Sequence, residues 1–462
     1  MSVALSNDEQ TLFSELRNRH EKTRPVLARL DRYYEGMQRL EHIGLAVPPE
    51  LRRFETIVNL PRIAVDEPER RLDVKSLILP GHELADAGLR EGWEYNDMDA
   101  QAPQAHREAM IFGRSFITVG SNEDDRDQPF ITVESPRYMN ALIDNRTRRM
   151  RAALRQYIDP ERRQDSATLY LPDATIWLER ENSGAWKEVS RDEHTLGRVP
   201  VIMLLNRQRL GSWDGTSEIH DIIPMTDAVA RTLTNLQIAA ETHSVPQKYV
   251  LGMTKGDFVD KNGDPIPVWE SYFSGIWAHA NKDAKVGSFT PSSLKNFHDT
   301  VNHYMALAAA ITGLPTRYMG QQSVNPAAEG AIRADEARLV KNCERKQVSF
   351  GAGWGWTMAL RERFRTGQWP VNGRIRVEWH DAGTPTISQR SDAIQKLAGG
   401  TPILSREGAW DEMGWSEARK AKEREYFAQQ DADPYLNRER EKEQEQDVSA
   451  LVGADVPAAD RG

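Results

Sequence analysis

The segment from Phe297 to Phe350 constrains the fold of this chain more than any other. An apolar helical stretch ends at Gly313-Leu314-Pro315, because glycine favours the left-handed conformation that ends helices and proline cannot continue one. A polar loop follows, and Asn325-Pro326 then favours the start of a long charged helix. A loop of this length between two helices is usually functional. It contains no catalytic constellation, so the sequence predicts a contact surface there.

Length and charge narrow the class of protein. The chain has 462 residues, of which 39% are hydrophobic and 28% are charged, which predicts a sizeable core divided between two or three regions. The formal net charge of -9 disfavours strong nucleic-acid binding by bulk electrostatics but leaves weak contact with DNA open. The single cysteine, Cys343, excludes an intrachain disulfide and is expected to be a small packed residue.

Other sequence signals are missing. The chain shows no signal peptide and no apolar run of bilayer length, so we expect a soluble protein that is intracellular at synthesis. It also lacks a Gly-x-x-x-x-Gly-Lys-Ser/Thr loop, which argues against ATP hydrolysis by this chain.

The first part of the chain is predicted to be helical. Asn7 and Gln10 have the spacing of a capping box at the start of a helix. Pro25 is expected to kink or restart this helix, and Gly36 is expected to end it. Helices are then expected to dominate to about Gly113.

The sequence period changes from helical to alternating between Ser115 and Asn206. Short runs of β-branched and aromatic residues are separated by turn clusters, which predicts an antiparallel, largely meandering sheet. The predicted strands are Phe116–Val119, Phe130–Val133, Arg151–Ile158, Thr168–Leu171, Thr175–Leu178 and Val199–Leu205.

Two helices are predicted on either side of a small aromatic module. Residues 217–243 carry an apolar helical stripe, and Pro224 is expected to kink this helix or begin its main part. The module between the helices can hardly bury its own core, so we expect it to pack against copies of itself or a partner. The alternative is the core of an ordinary insertion. Its aromatic residues are Trp269, Tyr272, Phe273 and Trp277.

The C-terminal part is predicted to be mainly helical. The long helix from Ala327 is expected to bend within Gly351–Trp356, and Gly373–Trp379 alternates like a strand that can return to the earlier sheet. Further helices are expected from Ser388 to about Gln430. Beyond Asp431 the chain is a charged tail for which weak order is expected.

Several short motifs occur in an order that is characteristic of one family, although none of them is chemically specific alone. They are Tyr33-Tyr34-Glu35-Gly36, Asn59 and Pro61 with Val65-Asp66 and Arg71-Leu72, the helix around Leu236, Gly313-Leu314-Pro315 with its loop, Arg333-Ala334-Asp335-Glu336, and Leu404-Ser405-Arg406-Glu407 to Gly414-Trp415-Ser416-Glu417. In this order they resemble the portal proteins of tailed bacteriophages, in the branch found in phages of actinobacteria. The resemblance covers most of the chain up to about Gln430.

The resemblance implies an α+β portal fold. This fold has a mainly helical stem and crown, a mixed α/β wing that contains an antiparallel sheet, and a small α/β clip. The implied regions are 1–216 for the wing, 217–245 for a stem helix, 246–291 for the clip, 292–313 for a second stem helix, 314–326 for a tunnel loop, 327–384 for a long wing helix and returning strand, 385–430 for crown helices and 431–462 for the charged tail.

The resemblance also implies a function without enzymatic activity. Such portals are homo-oligomeric rings, usually dodecamers, at one capsid vertex of the virion, and this chain would be made in the host bacterial cytoplasm. The implied partners are double-stranded DNA in the channel, the terminase large subunit, a head-tail adaptor and the major capsid protein. No membrane, cofactor, metal or catalytic residue is implied.

Two sets of residues carry the implied contacts. The aromatic residues of the clip would dock the partners. The tunnel loop would face DNA, and Arg317 is its only charge between Thr316 and Asn325, so the contact should be weak and sequence-independent. The DNA-facing residues are Arg317, Tyr318, Met319, Gln321, Gln322 and Asn325.

Other interpretations stay open at this point. The loop is also consistent with a plain connection between helices, and the basic run Arg146–Arg151 is expected to be a solvated strand and turn rather than a DNA patch. His380-Asp381 is compatible with a nucleic-acid-processing enzyme on a helical scaffold, although no nucleophile motif accompanies it. A different head-tail connector component, such as an adaptor, is the third alternative.

Overall fold

A computed structural model describes residues 5–40, 56–159, 164–180, 184–243, 248–251, 285–288, 293–321, 329–371, 374–383, 387–399, 402–415 and 417–432. The chain divides into two compact units, Met1–Gly383 and Thr384–Gly462. The four aromatic residues of the predicted clip, the tail beyond residue 432, and Gln322 and Asn325 lie outside the described residues.

The first unit combines helices with short antiparallel sheets. Its described helices are α1 (Asn7–Glu35), α2 (Leu60–Glu69), α3 (Ala87–Tyr95), α4 (Met98–Phe112), α5 (Ile223–His243), α6 (Lys295–Thr312) and α7 (Glu329–Thr366). Its described strands are β1 (Val74–Ile78), β2 (Arg114–Gly120), β3 (Phe130–Glu134), β4 (Met139–Ile143), β5 (Met150–Asp159), β6 (Gln164–Tyr170), β7 (Thr175–Arg180), β8 (Lys187–Asp192), β9 (Val201–Leu205), β10 (Lys248–Leu251), β11 (Lys285–Ser288) and β12 (Arg376–Trp379). The α+β class is therefore confirmed.

The first helix has a capping box, one residue earlier than predicted. The Ser6 hydroxyl accepts from the Glu9 backbone N–H over 3.3 Å, and the Glu9 carboxylate accepts from the Ser6 N–H over 2.8 Å. The helix continues through Pro25 without the restart allowed by the sequence. It ends at Gly36, whose φ of 71° is the predicted left-handed conformation.

The alternating region forms two sheets rather than one. Strands β4 to β8 form a five-stranded meander, and β2 lies between β3 and β9 in a separate three-stranded sheet. The predicted strands are all present, but β4 and β8 were missed, because Met139–Ile143 contains Asn and Ala and Lys187–Asp192 is mostly charged.

The returning strand β12 does not join either of these sheets. It pairs antiparallel with β1, which lies in a region that was expected to be helical. Arg71 and the residues around it end α2, so the chain enters β1 within a few residues. The partner of β12 was therefore predicted wrongly, because the alternation within a strand does not specify which strand it pairs with.

Helix α7 is one continuous helix across the segment where the sequence predicted a bend. It runs for 38 residues through the glycine- and tryptophan-rich segment. A Cβ atom added to Gly353 would overlap the Leu204 side chain on β9, and one added to Gly355 would overlap the Ile375 carbonyl oxygen. These glycines therefore let the helix pack closely against the strands. They also lower the helix propensity of the segment, which is the property that predicts a bend from sequence.

Aromatic side chains fill the interface between α4 and α7. Trp354 is fully buried, and its indole N–H donates to the Nε2 of His106 over 2.8 Å. The His106 ring stacks on Phe350 with 5.2 Å between ring centres. Burial lowers the pKa of His106 to about 3, so the imidazole is neutral and accepts this hydrogen bond.

The two predicted stem helices are confirmed as helices that pack along each other. Helix α5 begins at Ile223, so Pro224 lies in its first turn, where a missing N–H costs little. Helix α6 ends at Gly313, which has a φ of 73°. Among the described residues, no helix is both long enough and apolar enough to cross a membrane.

The described part of the second unit contains three helices in the region where final helices were predicted. They are α8 (Ile387–Ala398), α9 (Arg406–Glu412) and α10 (Glu417–Ala432). Trp410 on α9 stacks against Phe427 on α10 with 5.8 Å between ring centres. The Glu407 carboxylate accepts two hydrogen bonds of 2.7 Å from the Arg424 guanidinium, which fixes α9 against α10.

The close approach of α7 to Ile375 predicts a large difference between two glycines of the same helix. Gly355→Ala should lower the free energy of unfolding by about 1–3 kcal/mol, because the new methyl group meets a backbone oxygen. Gly330→Ala should be neutral or stabilising by up to about 1 kcal/mol, since no atom of the described residues outside its own helix lies within 4 Å of its added Cβ. Denaturant unfolding of both variants measures this, and equal effects would contradict the packing described.

Candidate functional site

The first half of the predicted tunnel loop is a tight turn. Gly313 ends α6 with its N–H bonded to the Ala309 carbonyl oxygen over 2.9 Å. Residues Thr316–Met319 then form one turn of 3-10 helix, which Gly320 ends with a φ of 81°. The side-chain amide of Gln321 donates to the Asn302 carbonyl oxygen over 2.5 Å. We call residues 316–321 the tunnel turn.

Two apolar residues anchor this segment in the core. Leu314 is 5% exposed and Met319 is 4% exposed, and both belong to the main hydrophobic cluster of the first unit. The expectation that Met319 faces DNA is therefore wrong for this conformation of the chain. The family resemblance implies that the whole loop faces DNA, whereas the 3-10 turn directs the Met319 side chain inward.

The carboxylate of Glu336 on α7 is the centre of a hydrogen-bond network. The Tyr318 hydroxyl donates to it over 2.8 Å, and Arg317 forms a close ion pair with the same oxygen. Arg71, just after α2, lies 3.3 Å from its second oxygen and donates to the Tyr318 hydroxyl over 3.1 Å. Arg317 also pairs with Asp335 at 3.4 Å. The tunnel turn is thus attached to both α2 and α7.

The network balances its own charges. Partial burial raises the pKa of Glu336, but the hydrogen bond from Tyr318 and the positive charge of Arg71 outweigh burial and lower this pKa overall. Burial likewise lowers the pKa of Arg317, and its contacts with Tyr318, Glu336 and Asp335 outweigh burial and raise it. Two guanidinium groups therefore face two carboxylates, so the tunnel turn presents no uncompensated cation.

Arg71 also reaches the end of the first unit. Its side chain is only 8% exposed, and its guanidinium donates to the Ala382 carbonyl oxygen over 2.9 Å. A buried charge of this kind is costly unless it is fully paired. Here one arginine satisfies a carboxylate, a phenol and a backbone carbonyl, so it holds three separate segments together.

Sequence reasoning did not assign a role to Arg71 or Glu336. Both lie in motifs that carry the family resemblance, but Arg71 and Tyr318 are separated by 247 positions in the chain. No local pattern connects residues at that separation. The clustering of Asp335 and Glu336 soon after a loop with a single arginine is the one signal that could have suggested the ion pairs.

The remaining candidate residues are placed as follows. Cys343 is fully buried, and burial raises the pKa of its thiol to about 11, which keeps it unreactive and confirms the packing prediction. The side chains of Arg146, Arg148, Arg149 and Arg151 are exposed on the β4–β5 turn, as expected. His380 is exposed, and the part of the chain that the structure describes contains no cluster of metal-binding side chains.

Comparison with known proteins decides which family this arrangement represents. Residues 14–435 match the family described as phage portal protein, SPP1 Gp6-like. The portal protein of Mycobacterium phage L5 is 36% identical over 396 residues, which are 83% of this chain and 81% of the relative. The portal protein of Mycobacterium phage D29 is 36% identical over 400 residues, which are 84% and 82% of the two chains.

The chain belongs to the phage portal protein family. The mycobacteriophage relatives also confirm the resemblance to portal proteins of actinobacteriophages. A portal protein is a structural component of the phage particle and not an enzyme. The alternatives of a nucleic-acid-processing enzyme and of a head-tail adaptor are therefore wrong.

Solved structures with a similar arrangement come from gene transfer agent particles. A chain from the virion of a native particle has a TM-score of 0.46 and 13% identity, and the match covers 79% of this chain and 93% of that one. A chain from the neck of a native particle, computed with C12 symmetry, has a TM-score of 0.44 and 12% identity, with coverage of 81% and 94%.

The network around Glu336 predicts that the Tyr318 hydroxyl stabilises the fold. Tyr318→Phe should lower the free energy of unfolding by about 1–2 kcal/mol, because both Glu336 and Arg71 lose a partner. Tyr304→Phe on α6 is the matched control, since the hydroxyl of Tyr304 has no hydrogen-bond partner among the described residues.

The same network predicts an acid dependence. Because folding lowers the pKa of Glu336, its contribution to stability is complete above the ordinary value of 4.5 and is lost as the pH falls through the lowered pKa. Unfolding measured between pH 7 and pH 3 should therefore depend less on pH in Glu336→Gln than in the unmodified chain. An unchanged dependence would show that Glu336 is not stabilised as a carboxylate.

Proposed function

We propose that this portal protein assembles into a closed ring, expected to be a dodecamer, that forms a channel for double-stranded DNA. The tunnel turn lies on the channel wall in this proposal, at the end of the second stem helix. The observation that carries it is the balanced charge around Glu336 in a member of the portal family. It gives a turn that is rigidly held yet carries no free positive charge.

Weak DNA contact follows from this balance. Every lysine or arginine that neutralises a phosphate adds a salt-dependent contribution to the binding affinity. Such contacts would slow the DNA as it moves through the channel. Arg317 is already paired with Glu336 and Asp335, so it does not contribute such a term. The polar groups that remain, including the amide of Gln321, make sequence-independent contacts with sugar and phosphate.

Exposed apolar residues on the stem support assembly with further copies. Leu307 and Ile311 are one helical turn apart on α6 and are 40% and 47% exposed. Ile332 near the start of α7 is 38% exposed. Apolar side chains on one side of a helix that the described part of the chain leaves exposed favour contact with another protein surface.

The proposal keeps the regions implied by the family resemblance. Residues 246–291 form the clip, and its aromatic residues dock the terminase large subunit and later the head-tail adaptor. The wing contacts the major capsid protein, and residues 385–430 form the crown. The ring occupies one capsid vertex of the virion after synthesis in the cytoplasm of the bacterial host.

The mass of the purified chain tests ring assembly. Native mass spectrometry and negative-stain images should show closed rings of identical subunits, with twelve as the expected number. A monodisperse monomer at every salt concentration, without rings, would contradict the proposal. Copy number per virion checks the same point in the phage.

The charge of the tunnel turn tests the DNA channel. Replacing Gln321 and Gln322 together with lysine should leave ring assembly intact but reduce packaging or retention of the genome, because each subunit gains cations toward the phosphates. Replacing both with asparagine is the matched control, since it changes the side chains without adding charge. Unchanged packaged DNA in the lysine variant would show that the tunnel turn does not face DNA.

A further inference from the structure

The first unit contains a groove lined by apolar and basic side chains. It has a volume of 930 Å³ and lies between the β4–β5 turn, β9 and one side of α7. Val348 on its rim is 77% exposed, and the Arg198 guanidinium lies 4.1 Å from the ring centre of Trp356 in its floor. Leu210, in a smaller adjoining pocket that shares Arg148, is 98% exposed.

The basic residues of this groove have no counterion in the described part of their own chain. Arg148 and Arg149 line it, and no ion pair to either is formed within the described residues. Burial lowers the pKa of Arg198, and the nearby positive charge of Arg149 lowers it further. The groove is therefore a place where a carboxylate would be favourable.

The turn that carries these arginines is rigid before any partner binds. The Asp144 carboxylate accepts from the backbone N–H groups of Arg146 over 2.7 Å and Thr147 over 3.3 Å. The Asp144 carbonyl oxygen accepts from the Arg148 N–H over 2.7 Å. Because the turn is held in this way, the arginines lose little backbone freedom on binding.

An exposed acidic loop with adjoining aromatic residues joins β2 to β3. Glu123, Asp124 and Asp125 are exposed, and no ion pair to any of them is found among the described residues. Phe130 and Tyr95 beside this loop are 46% and 48% exposed. We call residues 121–130 the acidic loop.

The acidic loop is also rigid. The buried side chain of Asn122 accepts from the N–H groups of Asp124 over 3.0 Å and Asp125 over 3.3 Å, and it donates to the Gln128 carbonyl oxygen over 2.9 Å. Arg361 on α7 donates to the Gln128 side chain over 2.9 Å. Both loops are thus held by internal hydrogen bonds, and no ion pair to their exposed charged side chains is formed among the described residues.

The acidic loop forms no ion pair with the arginines of the groove in the described part of its own chain. Arg114 at the start of β2 pairs with Leu205, from which the chain leads to the pocket that contains Arg148. Gly120 at the other end of β2 pairs with Phe130. The groove runs along β9, and its Val201 pairs with Thr118, two residues before Gly120. No ion pair joins the two loops among the described residues, so their charges are left for another chain.

We infer that the acidic loop of one portal subunit docks in the groove of the next, with its carboxylates on Arg148 and Arg149 and its aromatic edge toward Leu210 and Val348. Two different patches meet in this contact, so it is heterologous, and its repetition closes a ring when the rotation between subunits returns to the first one. The inference rests on the proposed ring and assigns the surfaces that form it.

Charge exchange between the two loops tests the pairing in the full chain. Arg148→Glu with Arg149→Glu, and separately Glu123→Lys with Asp124→Lys, should each raise the protein concentration needed for half-assembly at least about tenfold, because like charges then face each other. None of these side chains forms a hydrogen bond within the described residues, so folding should be unaffected, which thermal unfolding checks.

The variant that carries all four changes tests whether the two loops contact each other directly. It should assemble at nearly the concentration of the unmodified chain, because the charges are exchanged rather than removed. Lys75→Glu with Glu83→Lys, at exposed positions outside both loops, is the control and should have no effect. Unaffected rings in the paired variants, or no recovery when they are combined, would overturn this contact while the ring proposal stands. Failure of the unmodified chain to form rings would overturn both.

Discussion

The close contact between α7 and the strands beside it is the constraint on which the first unit depends. Glycines at alternate positions remove the side chains that would keep the helix away from β9 and from the segment leading into β12. Trp354 and Phe350 on the same helix then fill the space between α7 and α4. A single long helix in this way connects the three-stranded sheet, the β1–β12 pair and the helical layer.

The position of the tunnel turn follows from that arrangement. Because α7 is fixed by its packing, Glu336 near its start is fixed as well, and the tunnel turn is attached to this carboxylate. Arg71 adds a second attachment from α2. The turn therefore needs no binding partner to be ordered. A rigid turn with balanced charge is suited to a surface along which a polyanion moves without being held.

Local signals in the sequence predicted much of this fold. The end of α6 at Gly313 and the end of α1 at Gly36 follow from the conformational freedom of glycine. Strands with β-branched and aromatic residues were found, whereas the charged strand β8 was not. Its residues form a strand because β7 offers a partner edge, which is a tertiary effect that a single segment does not encode.

The candidate site was less predictable for the same reason. Arg317 and Tyr318 were recognised as part of a functional loop, but their partners come from α2 and α7, far away in sequence. The glycine-rich segment of α7 predicts a bend from sequence, because glycine is unfavourable in an isolated helix. In the structure, the glycines of this segment allow close packing against neighbouring strands. The local sequence does not reveal which segments those neighbours are.

We propose that the tunnel turn lines a DNA channel while its cation stays paired within the protein. An electron cryo-microscopy reconstruction of the portal vertex in DNA-filled particles tests this most directly. We expect residues 316–321 of every subunit to surround the DNA density, with Arg317 still paired with Glu336. A ring in which the turn lies away from the DNA, or in which Arg317 leaves Glu336 to bind phosphate, would contradict it.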